Sequence, residues 1–237
     1  MRIAFTVIRA IVAAAIAAAI IGQLVTSIDF WTQDPAADIP FLLLGFFSFF
    51  TIESNVLSVV VLGIGAVLLL VGRGEDPRWF ALVRVSVVTY MAVTGIVYNL
   101  LLRGVELPQG STLGWSNEIL HVVGPLYLVL DWLFAPGRAP LPWSTVRTIV
   151  VFPIVWAAYT LLRGPFAIDS RTGEPWYPYP FLNPTVSANG YFSVAFYVVM
   201  IAVIIAVTGA GAVWISRRGL ATSGAERVKQ LVGELDE

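Results

Sequence analysis

The chain contains no cysteine, a single histidine and few charged residues. Without cysteine there can be no disulfide, iron–sulfur cluster, thiolate zinc site or cysteine nucleophile, and one histidine excludes bis-histidine haem and all-histidine metal centres. No cofactor and no metal are expected. Charged residues make up 12% of the 237 positions, half of the share of about a quarter that a water-facing domain carries. The 14 Lys and Arg residues are mostly single and scattered, and the formal net charge is -1. No basic stripe is present to follow a phosphate backbone, so nucleic acid is not an expected partner.

What the chain has instead is apolar surface: 58% of its residues are hydrophobic. Lipid is the solvent such a composition fits, and the sequence reads as an all-α integral membrane protein. A helix needs about 20 mostly apolar residues to cross the hydrocarbon, because its backbone groups must be paired within the segment. Six stretches qualify: Ile3–Ile28, Phe41–Gly72, Trp79–Leu102, Trp115–Ala135, Val146–Leu162 and Tyr191–Ser216. The expectation is one six-helix domain over residues 1–216, followed by a charged tail over 217–237. The first stretch could be a cleaved signal peptide, but no small-x-small cleavage pattern precedes Asp29, which favours a retained helix.

The basic residues set the expected orientation. Arg2, Arg9, Arg73, Arg78, Arg84, Arg138, Arg147, Arg217, Arg218, Arg227 and Lys229 fall on or near one side of the spans, and Arg103, Arg163 and Arg171 on the other. Both termini are therefore expected in the cytoplasm. The use of Arg over Lys, with abundant Ala, suggests a bacterial genome rich in G and C, and so a bacterial cytoplasmic membrane.

Ionisable groups within a span cost at least about 2.5 kcal/mol each at the bilayer centre, so each needs a partner, a cavity or a task. Arg84 in the third span and Asp131 in the fourth lie at similar depth near the cytoplasmic side, where a structural ion pair is expected. A second set lies toward the outer side. Ser48, Thr51, Asn55 and Ser58 recur at helical spacing along the second span, with Glu53 and Ser54 beside them. Asn117, Glu118 and His121 share a sector of the fourth span. The two helices run in the same direction, so Thr51 and His121 can meet. Small polar residues of this kind also bond helix to helix, the reading preferred for Ser48 and Ser58. A hydroxyl beside an imidazole is the minimum for nucleophilic ester cleavage, with the base taking the hydroxyl proton and returning it to the leaving alcohol.

The last outer connection contains Trp176-Tyr177-Pro178-Tyr179-Pro180-Phe181-Leu182. Alternating aromatics and prolines make a stiff, extended segment whose rings favour the headgroup level. Trp176, Tyr177, Tyr179 and Phe181 are read either as an aromatic belt anchor or as a lid over the outer pocket.

Three places resemble one family, the androgen-induced gene 1 and androgen-dependent TFPI-regulating proteins, which are multi-span membrane threonine hydrolases with bacterial relatives. They are Phe49-Phe50-Thr51 continuing through Val56 to Gly63-Ile64, Asn117-Glu118-Ile119-Leu120-His121 with Pro125 and Leu126, and the Trp176–Leu182 loop. Order and approximate spacing agree over these segments. The resemblance implies a Thr51 nucleophile, a His121 base and lipid esters, notably fatty acid esters of hydroxy fatty acids, as substrates. Helical spacing adds Asn55 or Asn117 as oxyanion donors and Glu118 or Glu53 as the group that orients the imidazole. Two other readings stay open. One is a small proton-coupled transporter in which Glu53, Glu118 and His121 handle protons, and the other is a membrane scaffold whose polar stripe only packs helices.

Overall fold

The long apolar runs fold as helices because no other local structure satisfies an apolar segment's own backbone. The computed structural model describes residues 1–72, 74–105, 111–186 and 189–233, with side chains as far as residue 218. Arg73 and the side chains of Arg227 and Lys229 lie outside the described residues. The helices are α1 (Arg2–Trp31), α2 (Ile39–Phe47), α3 (Phe50–Val71), α4 (Arg78–Val97), α5 (Gly114–Glu118), α6 (Gly124–Phe134), α7 (Thr145–Arg163) and α8 (Tyr191–Gly233). A π-helical turn, Tyr98–Leu102, continues α4, and another, Ile119–Val123, joins α5 to α6. No strand forms among the described residues.

Five helical segments are long and apolar enough to cross a membrane: Arg2–Trp31, Phe50–Val71, Arg78–Leu102, Thr145–Phe166 and Tyr191–Arg218. The helical run over 114–134 has comparable length but is not among the five. It carries Asn117, Glu118, His121 and Asp131, which lower its hydropathy.

The expected second span over Phe41–Gly72 is not one helix. Asp38 caps the start of α2 by accepting from the Phe41 amide at 3.1 Å. The chain leaves α2 at Ser48, passes through an extended Phe49 (φ -70°, ψ 126°), and starts α3 at Phe50. The regular stripe from Ser48 to Ser58 is therefore interrupted: Ser48 closes one helix, while Thr51, Asn55 and Ser58 face inward from the next. Helical spacing could not foresee this, because the break is held by residues distant in sequence.

α1 turns a single stripe inward, from Thr6, Arg9, Ala13 and Ile16 to Gln23, Ser27 and Trp31, and lies along α3. α4 is central, touching α3, α6, α7 and α8. The outward faces of α7 and α8 are rich in exposed Val, Ile and Phe, as suits helices whose surroundings are lipid.

At the end of the bundle near Arg9, four buried charges form one network. Arg9 holds both Asp131 carboxylate oxygens, at 2.8 and 3.0 Å. Arg84 reaches Asp131 Oδ2 at 2.9 Å and Asp76 Oδ2 at 2.7 Å. Arg9 also donates to the Gly65 carbonyl at 2.8 Å, and a Cβ on Gly65 would lie 2.8 Å from that guanidinium. Only glycine leaves this space open. Two arginines and two aspartates cancel in charge, which lets the group be buried. The expected Arg84 and Asp131 contact is thus one edge of a larger unit, to which α1 contributes Arg9 and the segment before α4 contributes Asp76.

Replacing Asp131 by leucine leaves two guanidinium groups buried with one carboxylate between them. The loss of stability is expected to be about 3–5 kcal/mol. It would be read as a lowered thermal midpoint of the purified protein in detergent, with a smaller decrease for Asp131→Asn.

Candidate active site

The break between α2 and α3 exposes backbone groups that a continuous helix would pair. The Ser48 carbonyl accepts from the Trp156 indole at 3.0 Å. Ser48 donates its hydroxyl to the Leu44 carbonyl at 2.7 Å and accepts from the Tyr159 phenol at 3.0 Å. In the first turn of α3, the Thr51 amide donates to the Tyr179 hydroxyl at 3.2 Å. The same hydroxyl lies 3.2 Å from Thr51 Oγ1.

Tyr179 is brought there by an aromatic wedge. Trp176 packs edge-on against Phe41 and Phe49, Tyr179 packs edge-on against Phe49, and Phe181 stacks on Tyr179 at 5.2 Å between centroids. Trp176, Tyr177 and Tyr179 are buried. The segment packs into the bundle, and Tyr179 and Phe181 form part of the pocket wall. Burial pushes the Tyr179 phenol up to about 12, against the opposing pull of its hydrogen bonds with Thr51, so it stays protonated and able to donate at neutral pH.

His121 sits on the π-helical turn after α5. Its Nδ1 is 2.9 Å from the Asn117 carbonyl oxygen. A carbonyl has no proton to give, so Nδ1–H is the donor and Nε2 of the neutral ring is the basic nitrogen. The imidazole stacks on Tyr98, centroids 4.0 Å apart and planes 23° from parallel. Tyr98 lies on the other π-helical turn, and Arg103 covers it at 5.2 Å. Single π-helical turns occur frequently at functional sites. Each inserts an extra residue into the helical repeat and so re-aims the side chains that follow.

Thr51 and His121 are not hydrogen-bonded to each other, but both line one small cavity of about 40 Å³, together with Gln23, Asn117, Leu120 and Tyr179. A second cavity, of about 440 Å³, lies on the other side of Thr51 among α4, α7, α8 and the aromatic loop. Its walls include Val97, Pro153, Ala157, Phe181 and Ile201 and are almost wholly apolar. Thr51 and Tyr179 line both cavities.

The supporting residues are arranged differently from the sequence expectation. Asn55 directs its amide to the Thr51 carbonyl at 2.8 Å and the Leu120 carbonyl at 3.1 Å, which engages both amide hydrogens. It ties α3 to the His121 turn and is not free to act as an oxyanion donor. Asn117 donates from its side chain to the Tyr98 hydroxyl. Glu118 does not hold the imidazole: it is exposed and paired with Arg103 at 3.0 and 3.1 Å. Glu53 does not line either cavity, and its Oε2 is buried without a hydrogen-bond partner among the described residues. Of the three ionisable groups expected in one hydrated pocket, only His121 lines the small cavity.

The sequence reading missed Tyr98, Gln23 and the wall position of Tyr179. Gln23 bonds the Ser111 carbonyl at 2.7 Å and accepts from the Leu113 amide at 2.9 Å, fixing the approach to α5. As a glutamine well inside an apolar run, it carried a usable signal. The π-helical turn bearing Tyr98 had none in its local sequence. No protein-family model, curated protein or solved structure matches the chain.

Removing the Asn55 side chain leaves the Leu120 carbonyl without its partner in the bundle interior. Asn55→Ala is expected to lower stability by about 1–3 kcal/mol, measured by unfolding in detergent micelles.

Proposed function

We propose that this protein is an intramembrane hydrolase of lipid esters, with six spans and both termini in the cytoplasm of a bacterial cell. The run over 114–134 serves as the fourth span, its Asp131 neutralised by Arg9 and Arg84 and its Glu118 paired with Arg103. Thr51 is the nucleophile and His121 the general base. One observation carries this reading: Thr51 lines both an apolar chamber of about 440 Å³ and a small cavity that the single imidazole also lines. The larger volume is in the range of pockets that bury a drug-sized ligand and suits an acyl chain, while the smaller has room for little more than a water molecule.

In the first half-reaction Thr51 Oγ1 bonds to the ester carbonyl carbon as its proton passes, directly or through one water, to His121 Nε2. The carbonyl π electrons move to oxygen, and the tetrahedral intermediate collapses as the carbon–alkoxide bond breaks. His121 returns the proton to the departing alcohol. Water then repeats the sequence on the acyl-threonine, with His121 taking the water proton and delivering it to Thr51 Oγ1. The Asn117 carbonyl and the Tyr98 ring hold the imidazole in the tautomer this requires. The acyl chain stays in the apolar chamber throughout and enters from the lipid side. A hydroxy fatty acid ester is the substrate that the family resemblance adds to this picture.

A fluorophosphonate probe is expected to label the purified protein in nanodiscs at Thr51, located by peptide mass spectrometry. Thr51→Ala should abolish labelling, and His121→Ala should slow it by about 10²–10⁴-fold. Undiminished labelling of the Thr51→Ala protein would exclude Thr51 as the nucleophile.

A further inference from the structure

A Thr51 acyl-enzyme needs donors for the oxygen that becomes negative in the tetrahedral intermediate. Asn55 has both amide hydrogens engaged by carbonyls, and one of those of Asn117 goes to Tyr98. The groups nearest the nucleophile are its own amide and the Tyr179 phenol. The Thr51 amide lies in the first turn of α3, where no carbonyl of the helix reaches it. The phenol is 3.2 Å from both the Thr51 amide nitrogen and Oγ1.

We propose that the Tyr179 O–H and the Thr51 backbone N–H form the oxyanion-binding pair; in the resting enzyme the amide donates to the phenol oxygen and the phenol hydrogen is directed to Thr51 Oγ1. This rests on the reading of Thr51 as nucleophile. Both resting contacts are long for their type: hydroxyl–hydroxyl hydrogen bonds ordinarily measure about 2.7–2.8 Å and amide–oxygen ones about 2.9–3.0 Å. Bonds to an oxyanion are shorter and stronger. Once Oγ1 has bonded to the carbonyl carbon, the oxyanion is two bonds from Oγ1, within reach of donors that now lie beside that atom. The phenol hydrogen then turns from Oγ1 to the oxyanion, and the Thr51 amide exchanges the phenol oxygen for it. Neither donor gives up its proton, so His121 remains the only group that carries one between Thr51 and the leaving alcohol. When the intermediate collapses, the amide returns to the phenol oxygen. Tyr179 is thereby a catalytic residue supplied by the aromatic loop, and the buried packing of Trp176, Phe49 and Phe181 holds its phenol at the required position.

Tyr179→Phe keeps the ring and its packing and removes the donor. In nanodiscs, its acylation by a p-nitrophenyl ester is expected to fall by about 10²–10³-fold, mainly in kcat. A trifluoromethyl ketone, whose Thr51 adduct carries the oxyanion, should lose affinity by a similar factor, while a non-hydrolysable ether analogue of the ester binds as before. A Tyr179→Phe enzyme within about threefold of the wild type in kcat, with ketone affinity unchanged, overturns the assignment while Thr51 labelling upholds the parent reading. Wild-type protein that is not labelled at Thr51 overturns both. If Tyr179→Phe does not fold, difluorotyrosine at position 179 keeps the shape but ionises at lower pH. The donor should then disappear as pH rises, and activity should fall at a lower pH than in the wild type. An identical alkaline limb would overturn the proposal.

Discussion

A helix broken inside an apolar bundle leaves amide and carbonyl groups that lipid cannot satisfy, and the arrangement around Thr51 follows from how they are satisfied here. The chain passes from α2 to α3 through an extended Phe49. The carbonyl freed at Ser48 is taken by Trp156 of α7, and the amide freed at Thr51 by Tyr179 of the loop before α8. Unpaired, each such group would destabilise the fold by several kcal/mol in hydrocarbon. The break therefore requires the aromatic loop to be inserted in the bundle, and the inserted loop in turn makes one wall of the site. The first turn of a helix, with amides that no helical carbonyl takes, favours negative charge placed beside it.

The rest of the bundle divides the labour. At the Arg9 end, two arginines and two aspartates lock α1, α4 and α6 together through charge. At the Thr51 end, the contacts are hydrogen bonds to backbone groups and aromatic packing, and the space is less completely filled. α4 serves both ends. Its buried Arg84 joins the network, and the π-helical turn that follows it brings Tyr98 against His121. The apolar chamber lies where α7 and α8 pack beside that helix, with small residues such as Ala157 and Ala202 in its lining. The site is thus assembled on the interface between a charge-locked core and a pair of more exposed helices.

Much of the helical organisation was legible in the sequence, for physical reasons that act locally. Long apolar runs mark spans because the backbone must be paired within each run, and Arg84 with Asp131 could be matched because charges at similar depth in lipid seek partners. Thr51 and His121 could be placed near one another as well, because they lie at matching depth on adjacent helices, and they line one cavity. The supporting cast could not. Asn55, Asn117, Glu53 and Glu118 were assigned by spacing along single helices, which does not reveal the partners on other elements that Asn55, Asn117 and Glu118 meet. Glu118 turns outward to Arg103, and Asn55 becomes a tie between helices.

The sequence by itself determined the solvent of this protein, its helical class, the absence of cysteine chemistry and the identity of its only imidazole, because each follows from composition or from short-range periodicity. The tertiary structure decided which groups surround Thr51. Tyr179 is 128 residues away along the chain, and what brings it to Thr51 is the satisfaction of an orphaned amide by a buried phenol. Such a pairing depends on the whole bundle closing around it and leaves no trace in the local pattern.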